Sequence, residues 1–329
     1  MTKIRAAITA VEGYLPDYIL TNDELSTMVD TNDEWIMTRI GIKERRILKG
    51  EGKGSSDMGE IVVKNILKKK SLDPSEIELV ICCTVTPDMF FPATANIIAD
   101  KCGIKNGFGF DVNAGCSGFL NGLTIAAKYI ESGFVKRAIV VGAEKMSAIV
   151  NYQDRSTCPI FGDGAGAVLL EATEEEVGFM DAILCVDGVG RQHLYQKAGG
   201  SAYPPTHETI DAREHYIYQE GQPVFKWAVT KMAEVTEAIM AKHNLKADDI
   251  SYLLPHQANL RIITATGERL GLDPSKVLIN IEKYGNTTSA TIPILMWENQ
   301  DKFKKGDNLI LTAFGAGFTW GAIWIKWAI

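Results

Sequence analysis

The sequence predicts an α/β protein made of two similar halves that are fused and packed together, and three observations support this. Short apolar runs alternate with segments of helical period along most of the 329 residues. The stretch 72–88 consists of a leucine, polar residues and an apolar run that ends in a polar turn. The same pattern recurs at 245–259. A glycine turn leading into a strand occurs at 161–170 and recurs at 314–325. We place the two halves at residues 1–175 and 176–329.

The first half begins with a strand and continues with buried strands separated by helices. The N-terminal run "MTKIRAAITAVEGYLP" is short, contains Glu12 and lacks a signal-peptide cleavage site, so it predicts a strand. Continuous apolar runs bounded by turns are typical of buried strands. We predict such strands at 78–85, 107–112, 137–144 and 166–172, with helices at 55–70 and 116–132.

The second half repeats this alternation after an irregular segment. Strands are predicted at 252–255 and 308–314, and helical patterns follow at 260–271 and 291–300. Residues 185–225 have no clear period and are rich in Gly, Pro, His and Tyr. Long loops in compact domains are often binding elements, and the aromatic residues favour this interpretation over disorder.

Composition excludes several classes of function. The chain is 46% hydrophobic and 23% charged, with a formal net charge of −7, which argues against general binding to nucleic acid or membrane surfaces. No apolar run approaches the roughly 18 residues of a membrane helix, so we expect a cytoplasmic protein. The six cysteines form no CxxC motif and no zinc spacing with histidine, so we expect free thiols and no metal site.

Cys116 is the cysteine whose surroundings indicate chemistry. The stretch "DVNAGCSGFLNG" at 111–122 places it among small residues between a strand and an apolar helix. A thiol at a helix N-terminus lies near unpaired N–H groups and the positive end of the dipole, so we expect a lowered pKa. The same N–H groups suit a substrate oxyanion. The alternative is a small buried residue in a tight turn.

Two other residues are candidate partners of this thiol. His256 follows the apolar strand 252–255, at the end where open α/β sheets carry their chemistry, although a buried core histidine has the same pattern. Asn286 lies in the small-residue turn "YGNTTSA", where helix capping is the alternative role. The glycine turn "FGAGFTWG" at 314–321 offers further backbone donors.

Together these motifs resemble the β-ketoacyl-acyl-carrier-protein synthase III family, the thiolase-fold condensing enzymes that start type II fatty-acid synthesis. The resemblance spans the whole chain. It is carried by "GYLP" (13–16), "DTNDEWIMTRIGIKER" (30–45), "GCSGF", "DRST", "FGDGAGAVLL", "PHQANLRII", "YGNTTSA" and "FGAGFTWG". It implies a thiolase-like fold with two duplicated α/β halves in five layers (α-β-α-β-α), which usually forms a homodimer.

The resemblance also implies residue roles. Cys116 is the acylated nucleophile, and His256 and Asn286 complete the triad. The residues matching CoA and pantetheine contacts are Thr31, Trp35, Arg39, Arg155, Gln222, Ala258 and Asn259. Phe91 matches the residue that enters the acyl pocket of the other subunit, and Phe314 and Ala316 match the gate and the oxyanion turn. Lys226 and Arg261 match basic residues that dock the acidic carrier protein.

Two positions depart from the family pattern. Ala316 stands where the family usually has the middle of three glycines, and it would distort the turn if that position needs a positive φ. Gln222 stands where an asparagine usually contacts pantetheine.

The implied reaction is a decarboxylative Claisen condensation of an acyl-CoA primer with malonyl-acyl-carrier-protein. It gives 3-oxoacyl-acyl-carrier-protein, CoA and CO₂, by a ping-pong route through a Cys116 thioester that keeps the acyl group activated. No metal or organic cofactor is required. The alternatives are a related synthase with another acyl acceptor, an acyl-CoA thioesterase, and an inactive acyl-binding module.

Overall fold

This computed structural model describes residues 3–329, which form thirteen strands and ten α-helices. The strands are β1 (Arg5–Tyr14), β2 (Tyr18–Thr21), β3 (Glu44–Ile47), β4 (Leu79–Cys83), β5 (Phe108–Val112), β6 (Arg137–Lys145), β7 (Asp163–Thr173), β8 (Gly178–Val186), β9 (Leu194–Gln196), β10 (Ile217–Gln219), β11 (Tyr252–Pro255), β12 (Asn308–Gly315) and β13 (Thr319–Lys326). The helices are α1 (Asn22–Ser26), α2 (Asp33–Ile40), α3 (Ser55–Lys70), α4 (Thr94–Lys101), α5 (Gly118–Glu131), α6 (His207–Asp211), α7 (Gly221–Lys242), α8 (Leu260–Arg269), α9 (Ile281–Tyr284) and α10 (Thr291–Asn299).

Two sheets share one topology. The first has the strand order β1-β7-β6-β4-β5 and the second has the order β8-β13-β12-β11. In the first sheet β4 and β6 are parallel, and the pairs β6–β7 and β7–β1 are antiparallel. In the second sheet β11 and β12 are parallel, and the pairs β12–β13 and β13–β8 are antiparallel. A parallel bridge from Leu253 to Val277 occupies the place that β5 has in the first sheet. The predicted α/β fold of two similar halves is therefore confirmed, while the boundary after residue 175 stays a prediction.

The core consists of helices between and outside the two sheets. Apolar residues of α5, such as Phe119 and Leu123, pack with Ile81 of the first sheet and Leu311 of the second in one buried cluster. A helix that is apolar nearly all round must be covered on all sides, which explains its place between the sheets. Helices α3 and α4 cover the outer face of the first sheet, and α7 covers that of the second. This is the predicted order of five layers.

Several predicted elements match closely. Helix α3 occupies the predicted residues 55–70, and α5 begins at Gly118, two residues after the predicted start. Gly133 follows the end of α5 with a φ of +77°, the left-handed conformation that ends many helices. Strand β7 begins at Asp163, earlier than the predicted 166, because the glycines of "FGDGAG" pair with β6 and β1.

The irregular segment 185–225 contains more structure than its composition indicates. It includes the hairpin β9–β10, the short α6 and the start of the 22-residue α7. In the hairpin, Leu194 lies opposite Gln219 and Gln196 lies opposite Ile217. Directly opposed and alternate residues share a face, so these four side chains lie on one side of the hairpin.

None of the helices in residues 3–329 combines the length and the hydropathy that crossing a membrane requires. All six cysteines are free thiols, and five of them are buried.

Candidate active site

A cavity of about 1100 Å³ lies where strand ends of both halves meet. Twelve of the fifteen residues singled out in the sequence line it: Trp35, Arg39, Cys116, Gln222, Lys226, His256, Ala258, Asn259, Arg261, Asn286, Phe314 and Ala316. The other three, Thr31, Phe91 and Arg155, are not part of its wall in the single chain. The structure thus brings the three candidate catalytic residues together in one space.

Cys116 lies in a turn that both halves hold in place. Ser117 Oγ donates to Thr319 O at 3.1 Å, and Thr319 Oγ1 donates to Ala114 O at 2.8 Å. A Cβ atom on Gly315 would lie 2.4 Å from the backbone N of Cys116. This close approach explains the glycine, because no side chain fits between the nucleophile turn and the end of β12.

Ala316 does not strain the turn that follows. The left-handed φ of +140° belongs to Gly317, and Ala316 is not among the residues of positive φ in the described chain. A Cβ atom on Gly115 would lie 2.8 Å from Ala316 N, and one on Gly315 would lie 2.4 Å from Cys116 N, so the backbone at 115–116 lies directly against that at 315–316. The replacement of glycine by alanine therefore leaves the pair of candidate oxyanion donors intact.

The expectation of a lowered thiol pKa is wrong for this structure. Burial and, to a smaller extent, the nearby Glu144 carboxylate raise the pKa of Cys116 to about 12. Hydrogen bonds from its own backbone N–H and from Asn286 lower the pKa but do not outweigh burial. Only 8% of the residue is exposed, and a dry site disfavours an anion despite the nearby helix end.

This pKa predicts how Cys116 reacts with an alkylating reagent. Because the thiol is protonated at neutral pH, the rate of carbamidomethylation of Cys116 by iodoacetamide should rise about tenfold per pH unit from pH 7 to pH 9. The measurement is intact-mass spectrometry of the labelled protein, with peptide mapping to Cys116. A rate that reaches a plateau below pH 8 would show a stabilised thiolate and contradict the prediction.

His256 is a buried, neutral imidazole at the end of β11. Burial lowers its pKa to about 3, so it carries no charge near neutral pH. Its Nδ1 atom lies 2.7 Å from Thr291 Oγ1, and Thr291 Oγ1 donates to Thr288 O at 3.1 Å. This pattern places the imidazole proton on Nδ1, where it donates to Thr291. The Nε2 atom is buried, has no partner within residues 3–329, and belongs to a residue that lines the cavity.

Asn286 is held by backbone on both sides. Its N–H donates to Ile160 O at 2.9 Å and its C=O accepts from Gly162 N–H at 3.1 Å, which ties it to the first half. Its Oδ1 accepts from Thr288 N–H at 2.8 Å. Because the carbonyl end of the amide is used in this bond, the NH₂ end is the one that donates toward Cys116.

Glu144, which our sequence reasoning missed, links the two halves beneath the site. This fully buried carboxylate at the end of β6 accepts from Thr86 Oγ1 at 2.7 Å and from Ser289 Oγ at 2.8 Å. Burial raises its own pKa, and the hydroxyl donors oppose that rise. The signal in the sequence is an acidic residue at the end of an otherwise apolar strand, "AIVVGAE".

At one end of the cavity two cations lie against an aromatic ring: Trp35 and Arg39 line the wall, and Arg155 lies outside it. The guanidinium groups of Arg39 and Arg155 lie 5.0 and 4.8 Å from the centre of the Trp35 ring. Arg155 also forms an exposed ion pair with Asp30 at 3.5 Å. A flat ring that stacks on Trp35 has to displace a guanidinium group or extend its stack.

Lys226 of α7 and Arg261 of α8 lie near this end. Arg261 is stacked 4.9 Å from the ring centre of Phe225. Asn259 caps α8 by accepting from Arg261 N–H at 2.9 Å, and it donates to Arg39 O at 3.1 Å. Hydrogen bonds therefore connect Arg39, a predicted contact residue of the first half, with Asn259 and Arg261 of the second half.

The remaining wall is mostly apolar and was not singled out in the sequence. It includes Val85, Pro87, Met146, Ile149, Ile160 and Phe161 of the first half, and Leu194, Gln196, Ile217 and Gln219 of the hairpin. Phe90 lines the cavity, whereas its neighbour Phe91 is 85% exposed. Only the folded chain brings these dispersed positions together.

Known proteins resemble this chain over almost its whole length. Residues 110–188 match the family model of 3-oxoacyl-[acyl-carrier-protein] synthase III, and residues 240–327 match the model of its C-terminal part. The chain is 57% identical over 327 residues to β-ketoacyl-[acyl-carrier-protein] synthase III 2 of Bacteroides thetaiotaomicron, covering 99% of this chain and 98% of that protein. It is 55% identical over 328 residues to the synthase III of Porphyromonas gingivalis W83, covering 100% and 98% of the two chains.

Solved structures give the same result. The 3-oxoacyl-[acyl-carrier-protein] synthase III of Aquifex aeolicus superimposes with a TM-score of 0.90 at 40% identity, covering 98% of this chain and 100% of that one. The priming β-ketosynthase of the R1128 polyketide pathway superimposes with a TM-score of 0.89 at 30% identity, covering 98% and 96%.

Proposed function

This chain belongs to the 3-oxoacyl-[acyl-carrier-protein] synthase III family of condensing enzymes, and from that premise we propose that it joins an acyl-CoA primer to malonyl-acyl-carrier-protein through a Cys116 thioester. The observation that carries this proposal is the convergence of Cys116, the unpartnered Nε2 of His256 and Asn286 in one cavity. The reaction is the initiating condensation of fatty-acid synthesis.

In the first half-reaction the Cys116 sulfur attacks the thioester carbonyl of acyl-CoA. With a pKa of about 12 the thiol does not ionise by itself, so His256 Nε2 takes its proton as the new C–S bond forms. The backbone N–H groups of Cys116 and Ala316 stabilise the negative oxygen. The C–S bond to CoA then breaks, and the proton passes from His256 to the CoA thiolate, which leaves as CoASH.

In the second half-reaction the malonyl group loses CO₂. The electrons of the broken C–C bond pass into an enolate whose oxygen accepts hydrogen bonds from His256 and Asn286. For this step the imidazole is in its other neutral tautomer: between the half-reactions Nδ1 releases its proton and Nε2 takes one up by exchange with water in the cavity. The Thr291 hydroxyl then rotates to donate to Nδ1, 2.7 Å away. The enolate carbon attacks the acyl-Cys116 carbonyl, the 3-oxoacyl product leaves, and the Cys116 thiolate takes a proton from solvent.

The remaining cavity residues bind the substrates in this proposal. Trp35 with Arg39 and Arg155 receives the adenine end of CoA, and Thr31 follows Asp30, the ion-pair partner of Arg155. Gln222, Ala258 and Asn259 line the course of pantetheine, and Phe314 packs beside the thiol as the gate between it and the other two members of the triad. These groups need no metal and no organic cofactor, because each step is a nucleophilic attack, a proton transfer or a loss of CO₂ whose electrons pass into a hydrogen-bonded enolate.

The basic residues at the cavity entrance define a test of carrier-protein docking. Changing Lys226→Glu or Arg261→Glu should raise the KM for malonyl-acyl-carrier-protein about tenfold, because each places a negative charge against an acidic partner. The rate at which acyl-CoA acylates Cys116, measured by intact-mass spectrometry, should not change. Lys246→Glu, an exposed charge beyond the far end of α7, is the matched control. If acylation fell equally, the two residues would serve CoA instead.

We also propose that two copies of the chain pair through β5. This strand is the edge of the first sheet, bonded only to β4, and edge strands with unpaired backbone groups favour pairing. Phe108 of this strand is 41% exposed, and Phe134, whose ring centre lies 6.0 Å from that of Phe108, is 68% exposed. The pairing would bring Phe91 of each copy to the acyl pocket of the other. Light scattering should give about twice the 36.1 kDa of one chain. An active monomer would contradict this arrangement.

The decisive experiment combines two assays of the purified protein. Mixing it with a panel of acyl-CoAs should give one acyl adduct on Cys116 by intact mass, and adding malonyl-acyl-carrier-protein should convert that adduct to 3-oxoacyl-carrier-protein. Release of free acid over many turnovers without malonyl carrier would identify a thioesterase and overturn the proposal.

A further inference from the structure

Thr288 is a cavity residue to which the mechanism above assigns no side-chain role. It is only 3% exposed, and its Oγ1 atom has no hydrogen-bond partner within residues 3–329. Six buried side-chain polar atoms of the described chain lack a partner, and only those of His256 and Thr288 belong to residues of the cavity wall. The same space therefore contains two unsatisfied polar atoms.

The position of Thr288 is also costly for its residue type. Its φ of +52° is left-handed, a conformation that β-branched residues rarely adopt. A buried hydroxyl without a partner adds a further cost, which an apolar side chain would avoid. Both costs are explained if a ligand accepts a hydrogen bond from Oγ1.

The backbone of Thr288 connects it to the second half-reaction. Its N–H donates to Asn286 Oδ1 at 2.8 Å, and its C=O accepts from Thr291 Oγ1 at 3.1 Å, the hydroxyl that meets His256. The candidate oxyanion donors for acylation, the backbone N–H groups of Cys116 and Ala316, lie on other segments. Thr288 is thus part of the group that acts on the malonyl unit.

We propose that the Thr288 hydroxyl donates a hydrogen bond to the malonyl carboxylate and thereby selects malonyl thioesters and orients the bond that breaks. A thioester carbonyl oxygen has two lone pairs, which His256 and Asn286 occupy, so a third donor in this group is left for the carboxylate. Anchoring both ends of the malonyl group holds its C–C bond so that the electrons pass into the enolate. This inference rests on the proposed condensation.

The test compares Thr288→Val, which keeps the shape but removes the hydroxyl, with Thr288→Ser, which keeps the hydroxyl. In Thr288→Val the KM for malonyl-acyl-carrier-protein should rise about 10- to 100-fold, as expected for a lost hydrogen bond to a charged group, while kcat falls much less. Acyl-adduct formation from acyl-CoA should match the wild type. Thr288→Ser should stay within about threefold of wild type in all three values.

Three outcomes would overturn the inference. The first is an unchanged KM for malonyl-acyl-carrier-protein in Thr288→Val. The second is an equal loss of acylation and condensation in Thr288→Val, which would indicate a structural role. The third is a Thr288→Ser variant that is as impaired as Thr288→Val. Thermal unfolding of each variant accompanies the kinetics, and Thr288→Ala replaces the valine if that variant does not fold. Product formation by the wild-type protein is a separate readout. If the wild type forms no 3-oxoacyl product, the proposed function itself is refuted.

Discussion

Replacing Cys116 with serine should lower the rate of condensation by at least about 10³-fold. The hydroxyl of serine is less acidic than a thiol, and the ester it would form is less activated than a thioester. Burial already raises the pKa of the Cys116 thiol to about 12, so the weaker nucleophile has no compensating environment. The measurement is formation of 3-oxoacyl-carrier-protein by mass spectrometry, together with the acyl adduct on the protein.

Cys185→Ser is the matched control for this variant. Cys185 lies in β8, is partly exposed and does not line the cavity, so its replacement should leave condensation within about twofold of wild type. Cys116→Ala should form no acyl adduct but should still decarboxylate malonyl-carrier-protein, because His256 and Asn286 remain. A stable acyl adduct mapped to another residue in Cys116→Ala would contradict the assignment of the nucleophile.

Removing His256 or Asn286 should produce the second large effect, and the two variants should differ in which step they lose. Each lost donor to the enolate oxygen should slow condensation about 10²- to 10³-fold. Asn286→Ala should acylate within about tenfold of the wild-type rate, because in that step Asn286 contributes only a hydrogen bond to the sulfur that lowers the thiol pKa. His256→Ala should lose acylation as well, because its Nε2 takes the thiol proton.

The effects of the two changes should not add. Both groups stabilise the same oxygen, so the double variant should be slowed by much less than the product of the single effects. His243→Ala is the control, since this histidine pairs with Asp181 at 2.7 Å and lies outside the cavity wall. Fast acylation in His256→Ala would show that another group takes the proton, and fully multiplicative losses would contradict the shared oxygen.

Much of the fold and of the candidate site follows from local pattern. The period of the apolar residues predicts most strands and α3, and the repeated segments predict two halves of like topology. Polar turns after buried strands mark Cys116 and His256, and the small-residue turn "YGNTTSA" marks Asn286, which follows the short helix α9. The carboxyl ends of parallel strands lie at one edge of a sheet, so residues of this kind converge once two such sheets face each other.

Long helices in atypical sequence were harder to predict. Helix α7 begins at Gly221 inside a glycine- and proline-containing stretch, "EGQPVF", that has no helical start signal except Pro223 in the first turn. The hairpin β9–β10 has strands of three residues each, too short for a period to be detected. Tertiary packing, not local propensity, stabilises these elements: α7 packs on the second sheet and α8, and the hairpin lines the cavity.

The order of the elements and the candidate reacting residues can thus be deduced from the amino-acid order alone, because both depend on short-range pattern and residue chemistry. The charge state of the thiol, the proton position on His256, the buried Glu144 and the unpartnered hydroxyl of Thr288 depend on the folded molecule. Each is set by desolvation or by hydrogen bonds between residues distant in the chain. A helix end favours a thiolate in isolation, but the dry interior into which this one is packed reverses that preference.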